Sequence, residues 1–563
     1  MDYNDQHEKT ESQEEKRKEL ADTLLRQFDQ IVARRGVWES HWEQIAQVVL
    51  PNYSTSFYSQ GNTTPGAKRT QRMYDVTAAG ALNKFSAAME SMLTPRSSKW
   101  HRVCAPDPEL MKIRSVAEWF DDVNNKLWNY RYAPMANFAS NQHEAYMQTG
   151  AFGTSSLFID ELDGGGLRYR VINLGELFFM ENHQGIVDKV FRRFKMTLRQ
   201  AAQKWGYDKL PEALQTRAKD KPEDEAWFVH VVCPRTDDWM PGHLGYKGKR
   251  FASYYICKDT RDLMSEGGYN SMPYTVARYQ VAPGEVYGRS PAMTVLPGIN
   301  VLNEMKKTIL KQGHRVVDPV LLAHDDGIMD GFSLKPGALN YGAISANGQR
   351  LVQTLETGRL DFGKELMDDE RAAINDAFLV TLFQILVETP QMTATEVMER
   401  AREKGALLNP TMGRYQSEGL GPMIHREFDL LAAQGLVPPM PMELKEAGAE
   451  YKVEYDSPLT RAMRAEEGVG VMRTVQWAAQ IAADTQDPSV MDQFNWDAIV
   501  PNLADINGVP IAWMATQEDV QAKRQGRQQA QEQQQLTQAL PGIASMAKAI
   551  APEGSAPFSG QGG

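Results

Sequence analysis

The chain has 563 residues, 42% of them hydrophobic and 24% charged, an ordinary folded composition that argues against a disordered, collagen-like or membrane-embedded polypeptide. At roughly 150 residues per domain, that length calls for about four structural units with separate cores. Its 61 Lys and Arg against 72 Asp and Glu give a net charge of −11, so any contact with nucleic acid must be local rather than spread over a basic surface.

Cys104, Cys233 and Cys257 are too few and too far apart for a disulfide framework, and they fit a reducing compartment. The opening MDYNDQHEKTESQEEKRKEL lacks the apolar stretch of a secretory signal. The longest apolar run, FLVTLFQILV at 378–387, is about half of the ~20 residues a spanning helix needs. No membrane association is expected.

Residues 1–19 read as a flexible charged arm. Residues 17–50 then predict one or two helices, with Leu20, Leu24, Phe28 and Ile31, then Trp38, Trp42, Ile45 and Val49, near helical spacing and Pro51 as the stop. The turn-rich YSTSFYSQGNTTPGAKRTQ follows, and Asp75 can cap a helix running to about Met92. Further helices are expected at 115–130 and 138–150. From 155 the period changes to two: SSLFIDEL, the turn DGGG and LRYRVINL make a hairpin signature, and GIVDKVFRRFKM, WFVHVVCP, RFASYYIC and YTVARYQV read as strands. Helical segments at 197–205 and 211–218 interrupt them. Without a βαβ alternation, a doubly wound nucleotide-binding sheet is not expected. The fold class is α+β, predominantly α.

Residues 299–315 predict an amphipathic helix with Ile299, Leu302, Met305 and Ile309 on one face and Lys307, Lys311, His314 and Arg315 on another. A Gly- and Asp-rich insert of about fifty residues follows. A helix resumes near 365, acidic in its first turns and apolar almost all round by 378–387, and such a surface calls for cover by neighbouring subunits. After the short ETPQM, Thr393 and Glu396 make a capping box for a helix at 394–408. Asn409-Pro410 breaks or bends it, and Gly419, Gly421 and Pro422 are kink candidates in its continuation. VPPMPMEL is a rigid linker, YKVEY a single strand, and Ser457-Pro458 opens a helix to about 483. The glutamine-rich 517–538 is a solvated helix or coiled segment, and the tail should be disordered.

Catalytic motifs fail on their chemistry. GRLDFGKE has the glycine spacing of a phosphate-binding loop, but Glu365 stands where a Ser or Thr hydroxyl must hold Mg²⁺. Gly288-Arg289-Ser290-Pro291-Ala292 lacks the last glycine of a nucleophile elbow, and Pro291 has no N–H for an oxyanion. His143-Glu144 has no second histidine at the required turn, and the acid pairs Asp121-Asp122, Asp325-Asp326 and Asp368-Asp369 read as caps or solvated faces. No catalytic residue, cofactor or metal site is assigned. What remains is the stripe Lys307, Lys311 and Arg315, one helical turn apart. On one chain it is a bland solvated face; repeated around a ring it would make collars of positive charge matched to a phosphate backbone.

The order helix, β-rich insert, apolar helix, short loop and long kinked helix resembles the stem, clip, stem, tunnel loop and wing helix of phage portal proteins. YDVTAAGALNKFSAAMESMLTPRSSKW, GEVYGRSPAMTVLPGINVLNEM and QMTATEVMERA narrow the likeness to the head-to-tail connector family of short-tailed phages, over about residues 20–480. The resemblance implies a wing at 20–290, a first stem helix at 291–315, a clip at 316–364, a second stem helix at 365–387, a tunnel loop at 388–392 with Glu388, Thr389, Pro390 and Gln391 as the constriction, a kinked wing helix and return strand at 393–456, a helical crown at 457–545 and a disordered tail at 546–563. It implies a ring, usually of twelve subunits, at one capsid vertex, without enzyme activity. DNA would pass through the ring during packaging and ejection, with Lys307, Lys311 and Arg315 as candidate channel charges. The implied partners are double-stranded DNA, terminase, scaffold and major capsid proteins, and tail adaptor or nozzle proteins, in the virion and, during assembly, the host cytoplasm. The competing readings are another structural ring such as a tail adaptor, and a nucleic-acid-processing enzyme. For the basic stripe, an outward face meeting capsid protein stands beside the channel.

Overall fold

A computed structural model describes residues 3–57, 66–236, 238–323, 333–341, 343–355, 361–381, 410–455, 458–506, 513–515 and 519–531. The chain forms two compact units, one of Met1–Met111 with Asp122–Ala462 and one of Lys112–Asp121 with Met463–Gly563. Helix and strand are mixed. Among the described residues no helix is long and apolar enough to cross a membrane.

The first helix, α1 (Tyr3–Val48), is one uninterrupted element that includes the stretch read as an arm. It buries Leu24, Leu25 and Phe28 against Phe178, Phe191 and Val229 of a sheet. After α2 (Thr77–Leu93), β1 (His101–Cys104), α3 (Pro108–Met111), α4 (Arg114–Arg131) and α5 (Phe138–Phe152) comes the β region: β2 (Thr154–Glu161), β3 (Leu167–Val171), β4 (Leu177–Glu181), β5 (Val187–Thr197), β6 (Glu225–Pro234), β7 (Phe251–Cys257), β8 (Leu263–Tyr269) and β9 (Tyr274–Arg278). All pairs are antiparallel, in a three-stranded sheet β3-β2-β9 and a five-stranded sheet β4-β5-β6-β7-β8. Helices α6 (Leu198–Trp205), with a complete Thr197–Gln200 capping box, and α7 (Glu212–Asp220) interrupt the larger sheet between β5 and β6. Their Leu198, Trp205 and Leu214 pack on Phe194 and Phe228.

Helix α8 (Pro291–Val317) is followed by β10 (Leu321–Ala323), β11 (Val352–Thr354) and α9 (Asp361–Ala377). The apolar helix expected from 365 differs from this in two ways. It starts earlier, at Asp361, and stops at Ala377, where Leu379 takes a left-handed φ of 58° before two more helical residues. Its apolar side chains Met367, Ile374, Phe378 and Val380 are already buried within the chain, so this part needs no neighbour to cover it. Residues 382–409, with the expected tunnel loop and the 394–408 helix, lie outside the described residues.

The kinked helix carries its irregularity at the predicted place, in another form. Residues 410–415 are helical, Gln416–Leu420 make a π-helical turn, and α10 (Gly421–Ala433) continues. The Gly421 amide closes this wider turn on the Gln416 carbonyl, which also accepts from the Tyr455 hydroxyl at 2.9 Å. The strand expected to stand alone, β12 (Lys452–Tyr455), follows α11 (Met442–Glu446) and pairs with β1, from His101↔Tyr455 to Cys104↔Lys452. Helices α12 (Pro458–Thr485) and α13 (Trp496–Ile506) come next, and 519–531 is helical.

Candidate functional site

Helix α8 is fixed at its start. Ser290, the serine of the failed nucleophile motif, is its N-cap: the Oγ accepts from the Met293 amide at 3.0 Å and donates to the Ala151 carbonyl at 2.7 Å. Pro291 occupies the first turn, where its missing N–H is no loss. The approach to the cap depends on two glycines. A Cβ on Gly153, whose φ is +76°, would stand 2.2 Å from the Gly288 carbonyl oxygen, and the reverse contact is equally close.

From the cap, Met293, Leu296, Ile299 and Leu302 form the buried face. Asn303 ends it with a polar clamp. Its Oδ1 accepts from the Tyr74 and Asp75 amides at 2.6 and 3.1 Å, and its Nδ2 donates to the Arg72 carbonyl at 2.5 Å. Asp75 in turn accepts from the Thr77 amide at 2.9 Å, opening α2, and from Arg371 of α9 at 2.8 Å, while Arg371 also donates to Asp368 at 2.8 Å. Burial works against ionisation of Asp75, but the bonds from Thr77 and Arg371 outweigh it and hold its carboxyl below the usual range. Helices α8 and α9 run antiparallel: a Cβ on Gly298 would meet the Glu370 carboxylate at 2.8 Å, and one on Gly363 would meet Ile309 at 3.0 Å.

Beyond the clamp the outer face of α8 carries the basic stripe. Lys307 is not a bare cation: its Nζ lies 3.0 and 3.1 Å from the two Glu304 oxygens, and 5.6 Å from the centre of the Tyr74 ring. Lys311 and Arg315 are exposed, with no hydrogen bond or ion pair among the described residues. Apolar side chains share this surface. Leu310 and Val316 are about half exposed and Val317 is 86% exposed. At the base of the insert β10 pairs with β11, Leu321↔Thr354 and Ala323↔Val352, and the Leu355 amide donates to the Val320 carbonyl at 2.9 Å. The insert beyond this clasp presents Leu339, Ile344 and an 83% exposed Tyr341 to solvent.

The other motifs have structural occupations. Gly363, Lys364 and Glu365 lie within α9, and Asp368 bonds Arg371. His143 meets Glu90 at 2.9 Å, while Glu144 pairs with Tyr53. Asp325 and Asp326, like Glu388, Thr389, Pro390 and Gln391, lie outside the described residues. Sequence reasoning named Asp75 only as a helix cap, and missed Asn303 and Arg371. The available signal was Asn303, a polar residue set into the apolar face of α8.

This arrangement can associate and hold, through exposed cations beside unshared apolar surface. Residues 21–514 match the family described as bacteriophage head to tail connecting protein. The chain is 30% identical over 528 residues to a "Probable portal protein" of Bordetella phage BPP-1, an alignment covering 92% of each. It is 27% identical over 526 residues to a "Portal protein" of Salmonella phage epsilon15, covering 91% of this chain and 92% of the relative.

Proposed function

This chain belongs to the bacteriophage head to tail connecting protein family and functions as a phage portal, and from that premise we propose that its copies close into a ring, of twelve subunits, through which double-stranded DNA is packaged and ejected. The observation that carries the ring is the row of exposed apolar side chains on the last turn of α8 and the insert, Val317 and Tyr341 foremost. A single chain leaves them in water, and a cyclic arrangement of identical copies covers such a patch with a complementary one on each neighbour.

Within the ring, α8 and α9 form the stem and the insert forms the clip. Lys311 and Arg315 are the channel charges, with Lys307 contributing less because Glu304 neutralises it. Glu388 to Gln391 form the constriction. Weak, solvated cations suit a moving duplex, since each tight phosphate contact would add to the free energy of sliding. The ring has no catalytic activity of its own. ATP hydrolysis belongs to the terminase that docks on it, while scaffold, capsid and tail adaptor or nozzle proteins meet its outer surfaces, first in the host cytoplasm and then in the virion.

Native mass spectrometry of the purified protein tests the assembly. A closed oligomer is expected, and Val317→Asp with Tyr341→Asp should shift it to monomer. A wild-type protein that remains monomeric at micromolar concentration would overturn the ring.

A further inference from the structure

The loop between β6 and β7 is built inside out. Its base closes where the Arg235 amide donates to the Arg250 carbonyl at 2.9 Å. Within it the Met240 amide donates to the Lys247 carbonyl at 3.0 Å and the Gly245 amide to His243 Nδ1 at 2.9 Å. A 3₁₀ turn at Tyr246–Gly248 follows, and the Trp239 indole N–H donates to the Gly248 carbonyl at 3.4 Å. The turn packs so tightly that a Cβ on Gly248 would stand 2.0 Å from the His243 carbonyl oxygen. Yet the large side chains stay in water: Leu244 is fully exposed, and Trp239, Met240 and Tyr246 are about half exposed. Ordering a loop costs conformational entropy that apolar burial normally offsets, and on a single chain these side chains supply little of that burial.

Its cations are unevenly matched. Arg235 is buried and donates to a Glu266 oxygen and the Gly267 carbonyl, each at 3.1 Å, and its guanidinium lies 5.2 Å from the centre of the Tyr246 ring. Lys247, Lys249 and Arg250 have no side-chain hydrogen bond or ion pair among the described residues. Trp239 and Arg250 also line a cleft of about 1120 Å³, shared with an exposed Ile186 from the turn between β4 and β5. Three of the carboxylates there are taken, Glu181 and Glu418 by Arg278 and Glu285 by Arg289. Asp188, the fourth, has no ion pair among the described residues, so further negative charge is favoured at the loop cations rather than beside it.

We propose that the loop 235–250 docks a segment of a partner protein that carries apolar side chains and carboxylates, the apolar groups seating on Trp239, Met240 and Leu244 and the carboxylates on Lys247, Lys249 and Arg250. Exposed aromatic and Met side chains gathered on an ordered loop are the composition of a protein interface. The three cations call for opposite charge, which makes the partner segment acidic. A nucleic acid fits poorly. Stacked bases need open ring faces, but Tyr246 lies against Arg235 and Trp239 is tied to Gly248. Met240 and Leu244 offer a phosphate nothing, and the exposed Asp238 beside Trp239 repels it. The surface is complete on one chain and does not rest on the ring.

Fluorescence anisotropy of a labelled peptide, titrated with the full-length assembled protein, provides the test. The probe is a peptide of about twelve residues with Leu and Phe on one helical face and Glu elsewhere. It should bind with a micromolar Kd that weakens as salt rises. Met240→Ser with Leu244→Ser, and separately Lys247→Glu with Lys249→Glu, should each weaken binding roughly tenfold or more. All four side chains lie outside the core, so the fold should survive their replacement. The same peptide with Lys for Glu, an oligo(dT), and vesicles of equal parts phosphatidylcholine and phosphatidylglycerol should each bind roughly tenfold more weakly or worse. No binding of the acidic peptide, equal binding of any control, or binding that either double variant leaves unchanged overturns the proposal. So does slow peroxide oxidation of Met240 in the assembled protein before peptide is added, which would assign the loop to a second copy of this chain.

Discussion

Two buried networks set how the chain responds to substitution and to acid. Arg131 and Glu427 are fully buried, with the Arg131 Nε 3.0 and 3.2 Å from the carboxylate oxygens and a closer contact through Nη2. The Tyr169 hydroxyl donates to the same carboxylate at 2.6 Å, and both His101 ring nitrogens face the guanidinium. Burial alone would lower the basicity of Arg131, but Glu427 more than offsets it. Glu427→Gln leaves a cation stranded among Trp100, Phe138 and His101 and should cost about 3–5 kcal/mol, read as a lower urea midpoint with the same slope. His101 is driven well below 6.5 by burial, Arg131 and Lys99. His230, bonded to Tyr274 and Ser253 and stacked on Tyr255, is driven down by burial, Lys204 and Arg192. His41 and His425 shift the same way. The unfolded chain takes up these protons near pH 6.5 while the folded chain refuses them until lower pH, so their contribution is complete above about 6.5 and lost as the pH falls below it. Urea midpoints should decline between about pH 7.5 and 5.5, and His101→Gln with His230→Gln should flatten that decline whatever its effect on absolute stability. Asp75, held low, acts in the same direction in a more acidic range, being lost only as the pH falls below its ordinary 3.8.

Among the elements, those with a strong local period were legible. The helices at Arg114–Arg131 and Phe138–Phe152 and the strands at Thr154–Glu161 and Glu225–Pro234 fall within a few residues of where spacing alone puts them. The short pairings were not. β1 and β12 are four residues each and form only with one another, so neither HRVC nor KVEY carries an alternation that announces a partner some 350 residues away. β8 hides behind Gly267 and Gly268, residues that usually weaken a strand. Here a Cβ on Gly268 would stand 2.9 Å from the Phe251 and Tyr246 carbonyls, so the close approach demands glycine. In the candidate site, the stripe was readable because it repeats on one helix, whereas the Asn303–Asp75–Arg371 clamp joins three segments that only folding brings together. The insert is the element most open to a direct test. Because β10 and β11 clasp its base, replacing residues 325–348 with a short linker should leave the wing folded by hydrogen exchange and abolish capture of purified terminase and tail adaptor. Undiminished capture of both would place docking elsewhere.

For the whole molecule the central question is whether the proposed ring brings DNA against these charges. Neutralising Lys311 and Arg315 to Ala removes two solvated cations per subunit while touching none of the clamp that holds α8, so the oligomer should keep its mass. If these charges border the channel, DNA retained in packaged heads should change, with wild type and variant differing more at low than at high salt, because exposed charges are screened over about 10 Å at 0.1 M. Unchanged retention with impaired entry of the ring into proheads would turn the stripe outward, toward capsid protein. The clasp between Leu321–Ala323 and Val352–Thr354 has a further bearing on the history of the chain. A segment whose two ends leave the body side by side is a closed loop, and doubling the length of a flexible loop costs only about 0.6 kcal/mol, less than burying one methylene returns. Recombination with breakpoints near 321 and 354 could therefore exchange one insert for another of quite different length without altering the spacing of the two helices that carry it. The two helices can stay constant while lineages trade the segment between them.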